Sequence, residues 1–349
     1  MKRTIDLTKE ERPERTDIKN LRQTLEQDGY ANIPVMTRDE AEIFASEIWT
    51  WLGGFGTGIT REDTSTHASD NWPPNIHGLI QRFGAGQTLF AWKIRCLKVL
   101  REIFAELWRV PEQELVVSFD GINVGKPYPH DQTWYHLDQS KEGSNFKAWQ
   151  AALSLTDSNG GLLFYEGSHK VHAQFLESQA AKPLAVGWYQ LNDSDRVWYL
   201  KQSEVRSAFV PSQAGYLTMW DSRVVHSGKR PVSGEPRLCV YVCYAPFKFG
   251  IAPKNVQKEL AKKCFYFEER RMTKHTPLPA RLFSETFQHH GKAYLVEKFK
   301  KQPTIADSEV TVDMLSLIGY SHLNAEGQMH LINFRKRAAV AKRLKEKKQ

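Results

Sequence analysis

The chain has 349 residues, of which 41% are hydrophobic and 25% are charged. These proportions are those of an ordinary globular protein, so they exclude a wholly disordered chain, a collagen-like fibre and a disulfide-rich scaffold. No run of about 18 apolar residues is present, which excludes a transmembrane helix, and the charged first 16 residues lack the apolar segment of a secretory signal. The four widely spaced cysteines are expected to be reduced thiols in a cytoplasmic protein.

The net charge of +8 is concentrated near the C-terminus. Residues 330–349 hold eight Lys or Arg against the single Glu346, a net charge of +7, and the rest of the chain is almost neutral. A basic run of this kind is typical of a solvated helix face. The alternative is an arm that binds nucleic acid or another acidic partner.

The first third of the chain favours helices. Apolar periodicity predicts helices over 17–28 and 87–109, and alternation predicts a short strand over 29–35. Thr37, followed three residues later by a glutamate, predicts the capping box of a further helix. Residues 53–77 are rich in Gly, Ser, Thr and Pro and predict a long loop of the kind that covers an active site.

The pattern changes over residues 115–246, which contain short apolar runs separated by turn residues. Such a series is typical of an all-β sandwich or barrel. Residues 171–209 interrupt the series and are expected to be an insertion that covers the substrate. An apolar or ring-bearing substrate is suggested by the aromatic residues of this insertion, namely Trp188, Tyr189, Trp198 and Tyr199.

Helical patterns return after the β region, over 255–269, 285–298 and 310–317. The sequence therefore predicts three parts. They are a flexible start at 1–16, a β domain with N-terminal helices at 17–250, and a helical extension with a basic tail at 251–349.

One segment of the β region has a pattern typical of a metal site. The segment from Trp134 to Asp138 lies in a predicted strand, where residues two apart project from the same face. His136 and Asp138 therefore direct an imidazole nitrogen and a carboxylate oxygen to one point. Alone the pair is a weak signal, because a chain with 12 histidines and 40 acidic residues contains such pairs by chance.

A third ligand is available downstream in His226, which follows a predicted strand and a tight turn. Two histidines and one carboxylate form the facial triad of non-haem Fe(II) oxygenases, which leaves positions open on the metal. Arg237 opens the next predicted strand, and its guanidinium suits the far carboxylate of a dicarboxylate co-substrate. A metal hydrolase is an alternative, but it needs a general base beside a bound water and the motif offers no evident candidate.

The order of these motifs resembles that of the phytanoyl-CoA dioxygenase (PhyH-like) family of Fe(II)- and 2-oxoglutarate-dependent oxygenases. The resemblance covers about residues 21–246. It rests on five segments, which are the helix-to-strand entry at 25–34, W-x-H-x-D at 134–138, the strand at 149–153, the segment with Gly-Ser-His at 157–170, and 215–226 followed by Arg237.

The resemblance implies a double-stranded β-helix of the jelly-roll or cupin type, flanked by N- and C-terminal helices. It implies Fe(II) as the metal, 2-oxoglutarate and O2 as co-substrates, and Arg237 as the anchor of 2-oxoglutarate. The implied iron ligands are His136, Asp138 and His226. Members of the family often have a hydroxyl residue two positions after the distal histidine, where this chain has Gly228, so Ser227 is the candidate substitute for the co-substrate contact.

Further site residues are predicted from their places beside the motif. Trp149, on the strand after it, is a candidate for lining the 2-oxoglutarate pocket, with core packing as the alternative. Asn123 and Lys126, on the strand that enters the site, and Trp134, next to the ligands, are candidates for contact with the substrate.

Together these inferences predict a dioxygenase that hydroxylates an unactivated C–H bond of a small organic substrate and releases succinate and CO2. The alternative is a catalytically silent cupin-type binding module, tethered to nucleic acid or another acidic partner by its basic tail. A degenerate module is expected to have lost at least one site residue, so the complete set of three ligands and an arginine favours the enzyme.

Overall fold

A computed structural model describes residues 18–67, 69–128, 133–139, 145–178, 188–282, 299 and 302–346. The expected flexible start at 1–16 and the predicted helix at 285–298 lie outside the described residues. The described helices are α1 Ile18–Asp28, α2 Arg38–Gly53, α3 Leu89–Arg95, α4 Lys98–Trp108, α5 His172–Ser178, α6 Asp193–Leu200, α7 Val256–Glu268, α8 Val312–Ile318 and α9 Ala325–Glu346. The described strands are β1 Tyr30–Pro34, β2 Leu79–Ile80, β3 Leu115–Val117, β4 Ile122–Gly125, β5 His136–Leu137, β6 Trp149–Ser154, β7 Ser158–Glu166, β8 Tyr189–Gln190, β9 Arg206–Ser212, β10 Tyr216–Asp221, β11 His226–Lys229, β12 Arg237–Val242 and β13 Tyr244–Pro246.

Two antiparallel sheets form the framework of the protein. The six-stranded sheet has the order β1-β10-β6-β12-β4-β2, and the five-stranded sheet has the order β8-β5-β11-β7-β9. Between β4 and β12 the chain passes back and forth between the two sheets, so strands that are neighbours in a sheet are distant in sequence. This order is that of a double-stranded β-helix, so the predicted jelly-roll fold is confirmed.

The N-terminal helices follow the sequence prediction with one difference. The capping box is confirmed, because Thr37 Oγ1 accepts from the Glu40 N–H and the Glu40 carboxylate accepts from the Thr37 N–H. The single helix predicted over 87–109 is instead two helices, α3 and α4. The break falls at Leu97, whose N–H bonds to the Ile94 carbonyl three residues earlier. Both helices bury apolar side chains in one core, so the apolar pattern continues through the break.

The side chains of the six-stranded sheet enter two different cores. One face of the sheet packs against α1 to α4 and the C-terminal helices in the main hydrophobic core. The other face meets the five-stranded sheet across a smaller cluster that includes Ala152, Phe164, Trp220 and Cys239. A third cluster lies where α5 and α6 cover the far side of the five-stranded sheet.

The C-terminal extension packs back onto the β framework. Thr273 exchanges hydrogen bonds with the backbone of Phe119, just before β4, and forms an isolated bridge with Leu282. In the basic helix α9, Arg335 pairs with Glu268 of α7, so part of its charge is balanced within the chain. Among the described helices none is both long and apolar enough to span a membrane.

Candidate metal centre

Strand pairing brings the two histidines of the predicted site together. His136 on β5 and His226 on β11 are direct partners in the five-stranded sheet, although they are far apart in sequence. Both are buried, and their ring centroids lie 4.2 Å apart. Asp138 follows β5 two residues after His136, and its side chain is 9% exposed. The three predicted ligands therefore meet in the space between the sheets.

The ligand atoms of these three residues are close enough to hold one ion. The distance from His136 Nε2 to Asp138 Oδ1 is 3.6 Å, and that from His226 Nε2 to Asp138 Oδ2 is 3.4 Å. One ligand atom from each residue lies within 4.8 Å of the other two. Two imidazoles and one carboxylate form the donor set of a non-haem iron facial triad, so the residues present fit Fe(II).

The backbone fixes which nitrogen each histidine presents. His136 Nδ1 lies 3.1 Å from the Trp134 carbonyl, and His226 Nδ1 lies 3.1 Å from the Val224 carbonyl. A carbonyl oxygen only accepts, so each Nδ1 carries the proton and each Nε2 offers a lone pair to the centre. Both rings are thereby held in the tautomer that a metal requires.

The protonation states of the centre also suit a metal. Burial lowers the pKa of His136 to about 3, and the adjacent His226 ring acts in the same direction, so the imidazole is neutral at physiological pH. Burial alone would raise the pKa of the Asp138 carboxyl, but the neighbouring His275 and His226 hold it well below its usual range. The centre therefore offers the neutral His136 imidazole, His226 Nε2 and one carboxylate.

Two residues that the sequence did not suggest hold this carboxylate. Gln150 on β6 donates from Nε2 to Asp138 Oδ2 at 3.0 Å. His275 of the C-terminal extension places Nε2 at 3.7 Å from the same oxygen and Nδ1 at 3.7 Å from Asp120 Oδ2. Partners of this kind orient a ligand and tune its metal affinity. The alternation of β6 could have indicated Gln150, but no local pattern connects His275 to a site so far away in sequence.

Arg237 has the properties of an anion anchor. It opens β12, is 2% exposed, and its Nε has no hydrogen-bond partner. Within the described part of the chain no acidic side chain forms an ion pair with it. A guanidinium remains charged when buried, and a buried charge is costly unless it is paired. The residue therefore fits the far carboxylate of 2-oxoglutarate.

The three predicted substrate contacts differ in where the structure places them. Trp134 stacks on the His136 ring, with centroids 4.1 Å apart and planes 4° apart. Asn123 is buried on β4 opposite Cys239, and its Oδ1 has no partner. Lys126 directly follows β4 and is half-buried.

Two of the predicted co-substrate contacts are placed elsewhere by the structure. Trp149 packs in the main core, on the helix side of β6, and its neighbour Gln150 faces the site instead. Ser227 Oγ accepts from the Trp134 N–H at 3.0 Å and donates to the Gly228 carbonyl at 3.1 Å. Ser227 also alternates with His226 along β11 and so lies on the opposite face. Its hydroxyl joins β11 to the ligand segment.

Among the described residues of the aromatic insertion, Trp188 reaches the centre. The Trp188 ring is 44% exposed and lies 6.1 Å from the His136 ring and 6.5 Å from the Trp134 ring. Tyr199 and Trp198 instead belong to the core beneath α5 and α6. The expectation of an aromatic cover over the site therefore rests on Trp188.

Comparison with known proteins shows what the region around this site is similar to. The sequence profile of the phytanoyl-CoA dioxygenase (PhyH) family matches residues 87–239, a range that contains the three ligands and Arg237. The "Ava biosynthesis cluster protein O" of Aspergillus versicolor is 25% identical over 254 residues, which cover 68% of this chain and 79% of that protein.

Two solved structures are similar at lower identity. AviO1 from Streptomyces viridochromogenes Tue57 is 18% identical with a TM-score of 0.45, and the match covers 68% of this chain and 97% of that chain. The epimerase SnoN, in complex with Fe3+, alpha ketoglutarate and nogalamycin RO, is 17% identical with a TM-score of 0.41, and the match covers 66% and 84%. The strand order, rather than these loose superpositions, defines the fold.

The fold and the ligand set define a class, the Fe(II)- and 2-oxoglutarate-dependent oxygenases with a double-stranded β-helix. Residues 87–239, which carry the site, match the phytanoyl-CoA dioxygenase (PhyH) family model, so the resemblance predicted from the sequence is confirmed. Fe(II), 2-oxoglutarate and O2, the cofactor and co-substrates of that family, are those that the resemblance implied. The alternative of a silent binding module loses support, because the matched range carries a complete set of site residues.

Proposed function

We propose that this enzyme hydroxylates an unactivated C–H bond of a small organic substrate. One oxygen atom of O2 enters the substrate, and the other enters the succinate that forms from 2-oxoglutarate with loss of CO2. The observation that carries the proposal is the convergence of His136, Asp138 and His226 within 4.8 Å in a fold that also buries Arg237, whose Nε has no hydrogen-bond partner among the described residues.

The residues of the chain have distinct parts in this reaction. His136, Asp138 and His226 would hold Fe(II), and Arg237 would hold the far carboxylate of 2-oxoglutarate. The iron supplies the activation of O2 when it is bound. The protein orients the ligands through backbone carbonyls on the two Nδ1 atoms and through the Gln150 amide on the carboxylate.

The surroundings of His226 serve to exclude water. The Trp220 and Phe164 rings have centroids 5.2 Å and 6.3 Å from the His226 ring. Apolar walls of this kind protect a reactive centre from side reactions and strengthen the electrostatic interactions inside it. Chemistry directed at an unactivated C–H bond needs such protection.

The proposed substrate is a small apolar or ring-bearing molecule. The half-exposed Trp188 ring beside Trp134 and His136 offers a surface on which a ring can stack. Asn123, with its buried unpaired Oδ1, is a candidate to accept a hydrogen bond from the substrate.

The proposal keeps residues 17–250 as the oxygenase domain and 251–349 as its helical extension, with His275 of the extension reaching into the site. We also propose a cytoplasmic enzyme, because all four cysteines are free thiols. In the basic helix, Arg335 is paired with Glu268 of the chain itself and so contributes less to an interaction with an acidic partner.

Anaerobic titration of the metal-free protein with Fe(II) and 2-oxoglutarate tests the proposal. A visible charge-transfer band from a chelated 2-oxo acid is expected in the wild type and should be absent in His226→Ala. Mass spectrometry of aerobic reactions with candidate ring-bearing substrates should then show succinate and a product heavier by one oxygen atom. A folded wild-type protein that binds Fe(II) but never forms the band would overturn the proposal.

A further inference from the structure

The Trp134 indole has a buried N–H with no hydrogen-bond partner among the described residues. Its ring is clamped on both faces. The His136 ring lies 4.1 Å away on one face with planes 4° apart, and the His77 ring lies 4.4 Å away on the other with planes 9° apart. The direction of the N–H is therefore fixed by stacking, although no group among the described residues accepts it.

The residue on the outer face of this stack holds an unfavourable backbone conformation. His77 has a φ of +51°, in the left-handed region, and it is followed by Gly78 at +86°. A non-glycine residue there costs about 1 to 3 kcal/mol, so the surrounding structure must impose it. The Asn123 amide donates to the His77 carbonyl at 3.3 Å and helps to hold the turn. The fold thus tolerates an unfavourable backbone conformation at His77, which keeps the Trp134 indole in place.

The indole N–H and the Arg237 guanidinium point to the same place. A Cβ atom added to Gly228 would lie 3.9 Å from both Trp134 Nε1 and Arg237 Nη1. Gly228 is two residues after His226 on β11, so it shares the face that carries the metal ligand. Two donors, one of them charged, therefore border a space that the glycine leaves free.

We propose that the Trp134 indole N–H is a second donor, beside Arg237, to the far carboxylate of 2-oxoglutarate. This inference rests on the proposed function, and it assigns Trp134 to the co-substrate instead of the substrate. A carboxylate has several lone pairs and accepts from both donors at once. Gly228 contributes no side chain to this space, which leaves room for the carboxylate between the two donors.

The Trp134→Phe variant removes the N–H and keeps an aromatic ring in the stack. The dissociation constant of 2-oxoglutarate, measured anaerobically by calorimetry with Fe(II) present, should rise by about 10-fold or more, as expected for a hydrogen bond to a charged group. The affinity for 2-oxobutyrate, which lacks the far carboxylate, should not change. Trp198→Phe, outside the site, is the matched control and should bind both acids as the wild type does.

A hydroxyl added at Gly228 tests the proposed position of the carboxylate independently. The added Cβ at Gly228 meets only ordinary contacts, so Gly228→Ser should be tolerated. The double variant Trp134→Phe with Gly228→Ser should regain most of the lost affinity for 2-oxoglutarate, whereas Trp134→Phe with Gly228→Ala should not. A merely structural role for the indole predicts no such difference between serine and alanine.

The possible failures are distinguishable. If Trp134→Phe binds both acids like the wild type while Arg237→Leu loses 2-oxoglutarate, the inference is overturned and the proposed function stands. If the wild type itself does not bind 2-oxoglutarate, the proposed function fails. If Trp134→Phe does not fold, Gly228→Val provides the test, because its branched side chain would occupy the space between the donors. Normal 2-oxoglutarate affinity in that variant would contradict the inference.

Discussion

Along β6 the side chains alternate between two environments that are equally buried. Trp149, Ala151 and Leu153 pack in the main core with the helices. Gln150 reaches Asp138 on the other face, where the two sheets meet. The strand is buried at all six positions, so burial does not distinguish its two faces. They differ in the polarity of the side chains and in what those side chains contact.

The same contrast continues across the six-stranded sheet. On β12, Leu238 and Val240 join the helix-side core, whereas Arg237 and Cys239 lie on the face between the sheets. The unpaired Nε1 of Trp220 also belongs to the cluster between the sheets. The helix-side face of the sheet therefore contributes mainly to stability. The face between the sheets keeps polar groups without partners, which are available to ligands. Substitutions on the two faces should therefore affect different measurements.

The largest expected effect is the loss of metal binding in Asp138→Asn. The change removes the negative charge but keeps the shape, so the affinity for Fe(II) or Co(II) should fall by more than about 100-fold, beyond the effect of losing an outer partner of a ligand. Calorimetric titration of the metal measures this effect. The control is Asp157→Asn, which changes an exposed acidic residue directly before β7 and should leave the metal affinity unchanged. Unimpaired metal binding in Asp138→Asn would remove the carboxylate from the ligand set.

On the helix-side face the expected loss is one of stability. Leu153 is fully buried in the main core, and Leu153→Ala should lower the free energy of unfolding by about 2 to 5 kcal/mol because it leaves a cavity. Urea denaturation measures the loss. The metal affinity of the folded protein should remain that of the wild type, and Leu200→Ala, at a half-exposed position, should change stability little. A weaker metal affinity in Leu153→Ala would show that the two faces are coupled.

Sequence periodicity predicted much of this arrangement but not the faces of the central strands. The i, i+2 spacing of His136 and Asp138 was informative because only one side of that short segment carries ligands. On β6 every residue is buried, so alternation of hydrophobic and polar character is weak, and the sequence left Trp149 as a candidate for the pocket with core packing as the alternative. The structure places the large Trp149 indole in the helix-side core, among apolar side chains.

The sequence also could not predict contacts between distant parts of the chain. His275 approaches Asp138 because Thr273 hydrogen-bonds to the backbone of Phe119 and so ties the extension to the β framework. The break between α3 and α4 was also hidden, since both helices bury their apolar sides in one core. Local patterns predict elements, whereas these features depend on how elements meet.

His172 lies outside the six-stranded sheet but also has buried polar atoms without partners, and its effect on stability can be tested by changing the pH. It begins α5, which covers the outer side of the five-stranded sheet, and both of its ring nitrogens are buried without partners. Burial lowers the pKa of His172 to about 4. An unfolded histidine protonates near pH 6.5, so between pH 6.5 and 4 the unfolded state binds more protons and stability falls as the pH falls.

His172→Phe should remove this part of the acid sensitivity. Relative to pH 7.5, the metal-free wild type should lose about 2 kcal/mol more than the variant at pH 5. Urea denaturation of both proteins at the two pH values gives the difference, and titrating groups that the two share cancel in it. Parallel stability curves for the two proteins would show that His172 is protonated in the native state.

The smallest effect concerns Gln150, and it separates the two faces most directly. Its Nε2 holds the Asp138 carboxylate, but its Oε1 is buried without a partner. Gln150→Leu should weaken metal affinity by about 10-fold, as the loss of a ligand's outer partner does, and should leave stability equal or slightly higher because an unsatisfied polar atom is removed. Gln190→Leu, on the exposed strand beside His136, is the matched control and should keep the metal affinity of the wild type. A stability loss as large as that of Leu153→Ala, with unchanged metal affinity, would mean that the face between the sheets is a second structural core and that the contrast along β6 does not hold.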